Sequence, residues 1–138
     1  MDFEKHCWVE IDLGALRSNF AYIKKAVGGN ICAVVKADAY GHGAAEVAEV
    51  LQQEGAAGFA VSNLDEGLYL RRHGINKPIL ILGYAAADRA AVLAKNNIAA
   101  ACFSTEYARA LSAAAVAAGV QVQVHLKVDT GMGRIGFA

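Results

Sequence analysis

Hydrophobic runs and amphipathic segments alternate along most of this chain. Five runs rich in β-branched and aliphatic residues predict strands, and the segments between them, where apolar residues recur every three or four positions, predict helices. Each strand–helix unit takes roughly 20–27 residues, which is typical of parallel βαβ units. The predicted strands cover residues 31–36, 58–61, 79–82, 98–103 and 120–128, and the predicted helices cover 44–54, 63–73, 88–95 and 105–119.

One more strand and one more helix are predicted before these units. Residues 8–12 alternate between apolar and polar side chains, as a half-buried strand does. The helix predicted over 13–27 carries an apolar stripe, with Asp12 as a candidate N-cap and Gly28 suited to end it. The next run, 31–36, is apolar up to its final lysine, so we expect a strand that is buried on both faces.

Two folds built of parallel βα units fit this repeat, a doubly wound sheet and a (β/α)8 barrel. A Rossmann fold is disfavoured, because Gly41 and Gly43 lack the third glycine of a G-x-G-x-x-G fingerprint. A complete barrel needs eight strands and about 250 residues, whereas this sequence has 138 residues. We therefore expect an α/β fold whose parallel βα repeats form the first half of a (β/α)8 TIM-type barrel, in a chain cut from a longer protein. A smaller open sheet is the alternative.

Composition narrows the range of partners. Hydrophobic residues make up 56% of the sequence and the mean hydropathy is +0.31, which argues against disorder. The 13 basic and 13 acidic residues cancel, so no nucleic-acid partner is expected. No apolar run reaches the roughly 18–20 residues of a membrane span, and residues 1–6 do not resemble a secretory signal. These features predict a cytoplasmic protein without a membrane partner.

Lys36 is the first candidate for chemistry. It closes an apolar strand, and a loop of small residues, 37–43, is predicted to follow it. In α/β proteins ligands bind at the carboxyl ends of strands, and an amine held there against apolar surface becomes a stronger nucleophile toward an aldehyde. The alternative is a lysine whose amine points into water, as charged side chains commonly do.

A second group of polar residues lies on one face of the last predicted strand, and the opposite face is apolar. In a barrel this polar face points inward near the mouth, on the side toward which Lys36 points. The loop over residues 130–137 then carries Arg134 among glycines. A ligand site and a structural ion cluster of Lys127 with Asp129 both explain the grouping. The polar face comprises Gln123, His125, Lys127 and Asp129.

Residues that often bind metals are scattered along the sequence. The three cysteines, Cys7, Cys32 and Cys102, form neither a zinc-binding spacing nor a disulfide framework. His42 and His125 are interpreted as hydrogen-bonding residues rather than as catalytic or metal-binding ones. We therefore expect reduced thiols and no metal site.

Three motifs carry a resemblance to a known family. Residues 33–43, AVVKADAYGHG, resemble the pyridoxal-phosphate attachment motif of bacterial alanine racemases. Residues 126–136, LKVDTGMGRIG, resemble the second signature of that family, and residues 8–16, WVEIDLGAL, are similar to its N-terminal opening. The resemblance runs from about Trp8 to the end of the chain, and the spacing of the two long motifs is also that of the family.

The resemblance implies the N-terminal part of a fold-type III barrel, followed in the family by a separate β-domain, in a homodimer that acts on a small amino acid. Lys36 would hold pyridoxal 5'-phosphate as a Schiff base and would be one of two catalytic bases. Tyr40 would form a hydrogen bond near the cofactor phosphate, and Leu82 would lie against the cofactor. Arg134 would face the phenolic oxygen of the cofactor. Lys127, which is often carbamylated in the family, would fix that arginine.

The activity that the resemblance implies is the interconversion of L-alanine and D-alanine, which supplies D-alanine for peptidoglycan. Racemisation needs a base on each face of the substrate, and the family carries its second base downstream of the matched region. We therefore expect that this chain alone does not racemise alanine. The alternatives are a non-catalytic module that binds pyridoxal phosphate, the N-terminal part of a racemase of serine or broader specificity, and a half barrel whose lysines form a salt network.

Overall fold

The computed structural model describes residues 7–138, so the interpretation of residues 1–6 lies outside the described part of the chain. Helical segments and strands alternate there, as the repeat predicts. The helical segments are α1 (Leu13–Val27), α2 (Lys36–Gly41), α3 (Ala44–Gln53), α4 (Leu64–Arg72), α5 (Ala90–Lys95) and α6 (Thr105–Ala117), with a 3-10 turn at Ala87–Arg89. The strands are β1 (Cys32–Val34), β2 (Gly58–Val61), β3 (Ile79–Ile81), β4 (Ile98–Cys102) and β5 (Val124–Leu126).

The five strands form one parallel sheet whose spatial order, β1-β2-β3-β4-β5, is also their order in the sequence. A doubly wound sheet reverses its strand order part-way and places helices on both faces. Here each strand pairs with the next, and consecutive helices pack against one another, α1 on α3, α3 on α4 and α5 on α6. The sheet is therefore singly wound, which is the arrangement of a barrel wall, and the prediction of half a (β/α)8 barrel is confirmed over the doubly wound alternative.

The hydrophobic core lies between the sheet and the helices. All residues of β2 and β4 are buried. Truncating one buried leucine in such a core costs about 2–5 kcal/mol. The largest side chains that are almost completely buried are Phe59, Val61, Leu70, Ile75, Ile79, Ile81, Leu93 and Ile98.

Side chains cap three of the helices. Asp12 Oδ1 accepts a hydrogen bond from Ala15 N–H at 2.9 Å, which confirms Asp12 as the N-cap of α1. Asn63 caps α4 in the same way, and Ser104 rather than Thr105 caps α6. Each such cap stabilises its helix by about 1 kcal/mol.

Three local predictions were wrong. Residues 8–12 form no strand, because no neighbouring strand pairs with them in the described chain and Asp12 serves as a helix cap. β1 is not buried on both faces, since it lies at the edge of the sheet and leaves Val34 45% exposed. β5 is shorter than 120–128, and Val128 instead forms an isolated bridge with Phe137 in the loop that follows.

At the amino ends of the strands a single side chain joins the loops that lead into β3 and β4. The guanidinium of Arg71, on α4, donates to Ile75 O and Lys77 O at 2.6 and 2.8 Å. It also donates to Asn96 O and Asn97 O, both at 2.7 Å. Burial lowers the pKa of Arg71 from its ordinary value, but a guanidinium stays charged in proteins. Arg71 therefore satisfies four carbonyls that belong to no regular ladder.

Candidate active site

A cavity of about 320 Å³ opens at the carboxyl ends of the strands. Lys36 reaches it from the end of β1, and the residues that directly follow β2, β3 and β4 form part of its wall. The structure thus brings together Lys36, Leu82 and Arg134, which the sequence places far apart. The cavity is lined by Lys36, Ser62, Leu82, Gly83, Tyr84, Phe103, Arg134 and Ile135.

The backbone after Lys36 has an unusual conformation. The sequence predicts a loop there, but α2 is a turn of helix in which Ala37, Asp38, Ala39 and Tyr40 have φ between +51° and +58°. The left-handed form costs an L-residue other than glycine roughly 1–2 kcal/mol, so a run of four needs support from its surroundings. Such strain is concentrated at functional sites, and this run begins at the residue after the candidate lysine.

Three hydrogen bonds support this left-handed turn from within. Ala39 N–H donates to Val35 O and Gly43 N–H donates to Asp38 O, both at 3.0 Å. The carboxylate of Asp38 accepts from Ala44 N–H at 2.7 Å and so joins the turn to the start of α3. Sequence patterns do not reveal this geometry, because alanine favours right-handed helices.

Glu66 supports the same turn from outside. Its Oε1 accepts from Ala37 N–H at 2.9 Å, and its Oε2 accepts from Ser62 N–H at 2.7 Å. Burial opposes ionisation of Glu66, but the hydrogen bonds from Ser62 and Ala37 and the positive charge of Lys36 hold the pKa of its carboxyl below its ordinary value. No motif in the sequence marks Glu66 as a site residue. Its only signal is the spacing Asn63-x-x-Glu66, which is typical of a helix cap.

Tyr40 lies beside Lys36 but does not line the cavity. The Lys36 Nζ atom is 5.9 Å from the centroid of the Tyr40 ring, a distance at which an ammonium group is attracted to the face of an aromatic ring. The Tyr40 side chain is 62% exposed. The structure therefore places Tyr40 near the candidate lysine and at the rim of the site.

The loop that carries Arg134 is fixed by two other side chains. The carboxylate of Asp129 accepts from Gly131 N–H and Gly133 N–H at 2.9 and 3.0 Å, and the bonds from Gly133 and Gly131 lower the pKa of Asp129. Lys127 Nζ donates to Ile135 O at 2.6 Å. The alternative of an ion pair between Lys127 and Asp129 is not formed, because Lys127 binds this carbonyl and within residues 7–138 the one ion pair joins Arg17 to Glu54.

The motifs and this geometry agree with comparisons to known proteins. The family profile described as "Alanine racemase, N-terminal domain" matches residues 11–138. The chain belongs to the alanine racemase family. An alanine racemase of Desulfovibrio desulfuricans is 48% identical over 138 residues, a match that covers 99% of this chain and 37% of the relative. The chain therefore spans little more than a third of the length of this relative.

Solved structures give the same result for the fold. Alanine racemase of Clostridium difficile superposes with a TM-score of 0.91 at 42% identity, covering 99% of this chain and 37% of that one. A histidine racemase of Leuconostoc mesenteroides subsp. sake superposes with a TM-score of 0.90 at 35% identity, covering 98% of this chain and 37% of that one. The predicted barrel fold of the alanine racemase family is thus confirmed, and members with different named substrates share this part of it.

Several cavity residues of this family member were not singled out from the sequence. Ser62, Gly83 and Phe103 lie at or just after strand ends, so the rule that ligands bind at carboxyl ends of strands could have found them. Position 83 requires glycine, because a Cβ there would lie only 2.5 Å from the backbone oxygen of Ser62. Phe103 stacks on Tyr107 with ring centroids 4.7 Å apart, and Tyr84 packs against both rings, giving the cavity an aromatic side.

The histidines and other metal-binding residue types show no further site. Nδ1 of His42 lies 2.9 Å from Ala39 O, in keeping with a hydrogen-bonding role within the loop. Residues 7–138 contain no group of three or more His, Cys, Asp or Glu side chains that could bind a metal ion. None of the helical segments in that range combines the length and apolar character that crossing a bilayer requires.

Proposed function

We propose that this chain forms the cofactor-binding part of an amino-acid racemase and that Lys36 binds pyridoxal 5'-phosphate covalently. The observation that carries the proposal is the convergence of a lysine amine, an arginine and an apolar wall on one cavity at the strand ends. The cavity volume of about 320 Å³ falls within the range of ~300–1,000 Å³ common for small-molecule and cofactor sites. The residues present therefore fit an aldehyde cofactor that carries anionic groups.

Each of these residues has a distinct part in the proposed site. Pyridoxal phosphate, when bound, supplies an electron sink that makes the α-proton of an amino acid acidic. Lys36 acts as the base on one face of the substrate. Arg134 would donate to the phenolic oxygen of the bound cofactor, and Leu82 would supply apolar surface against its ring. Tyr40, at the rim, would donate a hydrogen bond near the phosphate.

Lys127 serves the site through the loop that carries Arg134. Its bond to Ile135 O holds the residue after the arginine, so its amine fixes the loop in the unmodified state. Carbamylation, in which the neutral Lys127 amine would add CO2 and release a proton, would leave one N–H on Nζ and add a carboxylate that would attract the Arg134 guanidinium directly. We propose Lys127 as the modification site for this reason.

Alanine is the substrate that we propose, because the Desulfovibrio desulfuricans relative and the Clostridium difficile structure are both alanine racemases. The full activity would interconvert L-alanine and D-alanine for peptidoglycan, in a cytoplasmic homodimer that supplies the second base. Another amino acid is the second candidate, since a histidine racemase shares this part of the fold at 35% identity. A racemisation assay of the full-length natural protein, with alanine, serine and histidine as substrates, distinguishes these possibilities.

A cofactor titration tests the binding proposal. We expect pyridoxal phosphate added to the 138-residue chain to give the visible absorbance band of the lysine-bound cofactor, and Lys36→Ala to abolish it. Lys95→Ala is the matched control, since Lys95 is an exposed lysine at the end of α5. A band that survives Lys36→Ala, or no band in the unmodified chain, would contradict the proposal.

A turnover assay separates binding from catalysis. We expect the chain alone to bind the cofactor and to show no alanine racemisation by polarimetry, because racemisation needs a base on each face of the substrate and the family carries its second base downstream of the matched region. Racemisation at the rate of an intact enzyme would show that this expectation is wrong. Binding without turnover would mean that this chain by itself is a module that binds the cofactor and does not catalyse racemisation.

A further inference from the structure

The Glu66 side chain connects the carboxyl ends of β1 and β2, next to Lys36. Ala37, whose N–H binds Oε1, is the residue directly after Lys36, and Ser62, whose N–H binds Oε2, follows β2 and lines the cavity. Both amides lie just beyond the last residues of their strands, and in each case a Glu66 oxygen accepts from them. One carboxylate therefore satisfies two donors that belong to different βα units.

A helix cap does not explain this arrangement. In a capping box the glutamate returns to the backbone N–H of its own N-cap residue, which here is Asn63. Glu66 instead bonds to the residue before the cap and to α2, 29 positions earlier in the chain. The capping itself is done by the Asn63 side chain, which accepts from Glu66 N–H at 3.0 Å. The long-range bond to Ala37 thus needs another reason.

The reason lies in the conformation of α2. Ala37 is the first of four left-handed residues, so its N–H marks the point where the chain leaves β1 and changes hand. An ionised carboxylate forms stronger hydrogen bonds than a neutral group, and the low pKa of Glu66 keeps it ionised. By holding Ala37 against β2, Glu66 fixes the direction in which the preceding residue, Lys36, enters the cavity.

We propose that Glu66 is a positioning residue that fixes the left-handed turn after Lys36 and thereby places the lysine amine. The proposal rests on the proposed function of Lys36 for its consequence, but the turn itself can be tested without a cofactor. Glu66 does not itself line the cavity; it reaches the site through its hydrogen bonds to Ala37 and Ser62 and through the attraction between its charge and that of Lys36.

The test compares Glu66→Gln with Glu49→Gln in the 138-residue chain. Glutamine keeps the length of the side chain but has one acceptor oxygen, so one of the two amides faces an NH2 group. Glu49 is an exposed glutamate on α3 and serves as the control. The first readout is amide hydrogen exchange by NMR at Ala37, with Leu93 in the core as the internal reference. The second readout is the rate at which pyridoxal phosphate becomes attached to Lys36.

We expect Glu66→Gln to speed exchange at Ala37 at least about tenfold while exchange at Leu93 is unchanged, because a charged hydrogen bond is lost locally. Attachment of the cofactor should slow, and Glu49→Gln should alter neither readout. Unchanged exchange at Ala37, or faster exchange with an unchanged attachment rate, would overturn the proposal. If the unmodified chain does not bind the cofactor at Lys36, the proposed function fails, while exchange at Ala37 still tests the turn.

A second variant keeps the test valid if Glu66→Gln does not fold. Glu66→Asp retains the charge but is one methylene shorter, so it cannot reach both amides at hydrogen-bonding distance. We expect an intermediate increase of exchange at Ala37, with Leu93 again unchanged. Equal exchange at Ala37 in Glu66→Asp and the unmodified chain would contradict the positioning role.

Discussion

The two ends of the parallel sheet are built on opposite principles. At the amino end Arg71, a cation, binds four carbonyls of the loops that enter β3 and β4. At the carboxyl end Glu66, an anion, binds two amides that leave β1 and β2. In each case the charge matches the backbone groups of the adjoining loops, carbonyls before β3 and β4 for Arg71 and amides after β1 and β2 for Glu66.

Backbone strain is distributed unevenly between these ends. At the amino end Asn97 has φ +49°, and asparagine tolerates the left-handed region well. At the carboxyl end four successive residues of α2, two of them alanines, are left-handed. The amino end therefore stabilises the fold at little conformational cost, whereas the carboxyl end holds a strained segment next to Lys36. This division is the one expected of a barrel enzyme, with stability at one face and chemistry at the other.

The largest stability effect is expected at the amino end. Arg71→Met keeps an apolar stem but leaves four carbonyls without their charged donor, and it should lower the free energy of unfolding by about 3 kcal/mol. Arg72→Met, at the exposed neighbouring position, should change it by less than about 0.5 kcal/mol. Urea denaturation measures both. Equal effects of the two substitutions would show that the hydrogen bonds of Arg71 do not support this end.

A somewhat smaller effect is expected in the loop that carries Arg134. In Gly136→Ala the new Cβ would lie 2.7 Å from Asp129 N, at a residue with φ +138°. Gly131 has a similar φ, +126°, but a Cβ there would have no atom within 4 Å. Gly131→Ala therefore measures the cost of the backbone conformation without the steric clash. We expect about 2 kcal/mol of local destabilisation for Gly136→Ala and about 1 for Gly131→Ala, measured by amide exchange at Phe137. A larger effect at Gly131 would contradict this packing.

A glycine substitution in α2 tests the strain directly, because the sign of the change in the free energy of unfolding shows whether the turn is strained. Ala37→Gly should stabilise the chain by about 1 kcal/mol, because glycine adopts φ +51° without a Cβ clash. Ala110→Gly, at an exposed position within α6, should destabilise it by a similar amount. Asn97→Gly should be nearly neutral. Thermal unfolding of the three variants separates them, and a destabilising Ala37→Gly would refute a strained turn.

The smallest expected effect is on the loss of stability at acidic pH. The folded state lowers the pKa of Glu66, through its bonds to Ser62 and Ala37 against the opposing effect of burial. A lowered pKa stabilises the fold above the ordinary glutamate pKa, and this contribution is lost as pH falls through the folded value. Glu66→Gln should therefore flatten the decline of stability in mildly acidic solution, while Glu49→Gln should leave it unchanged. If stability declined equally steeply with falling pH in Glu66→Gln, other carboxyl groups would be responsible for the decline.

Much of the sheet could be predicted from the sequence because its signals are local. Buried strands such as β2 and β4 are continuous apolar runs, and Asp12, Asn63 and Ser104 have the side chains that cap helices. The predictions for residues 8–12, for the burial of β1 and for the length of β5 failed, because the pattern of one segment does not say which neighbours will pair with it or cover it. Alternation predicts an extended chain, and only pairing makes it a strand.

The candidate site was predicted in part, and the division has a physical origin. Lys36, Leu82 and Arg134 follow strand ends or lie in a glycine-rich loop, and the topology brings such residues together at one edge. Glu66 and the hand of α2 depend on a hydrogen bond between residues 29 positions apart. No local pattern encodes such a bond, because alanine in a left-handed turn and alanine in an ordinary loop look the same in the sequence.

The most direct test of the account is to locate the lysine that binds the cofactor. The chain is incubated with pyridoxal phosphate at a stoichiometric ratio, reduced with borohydride, digested, and mapped by mass spectrometry. The account predicts that the peptide containing Lys36 carries the label and that Lys36→Ala leaves the chain essentially unlabelled. Label that is absent from Lys36, or spread evenly over Lys36, Lys77 and Lys127, would contradict the central claim that the carboxyl end of this sheet holds the cofactor.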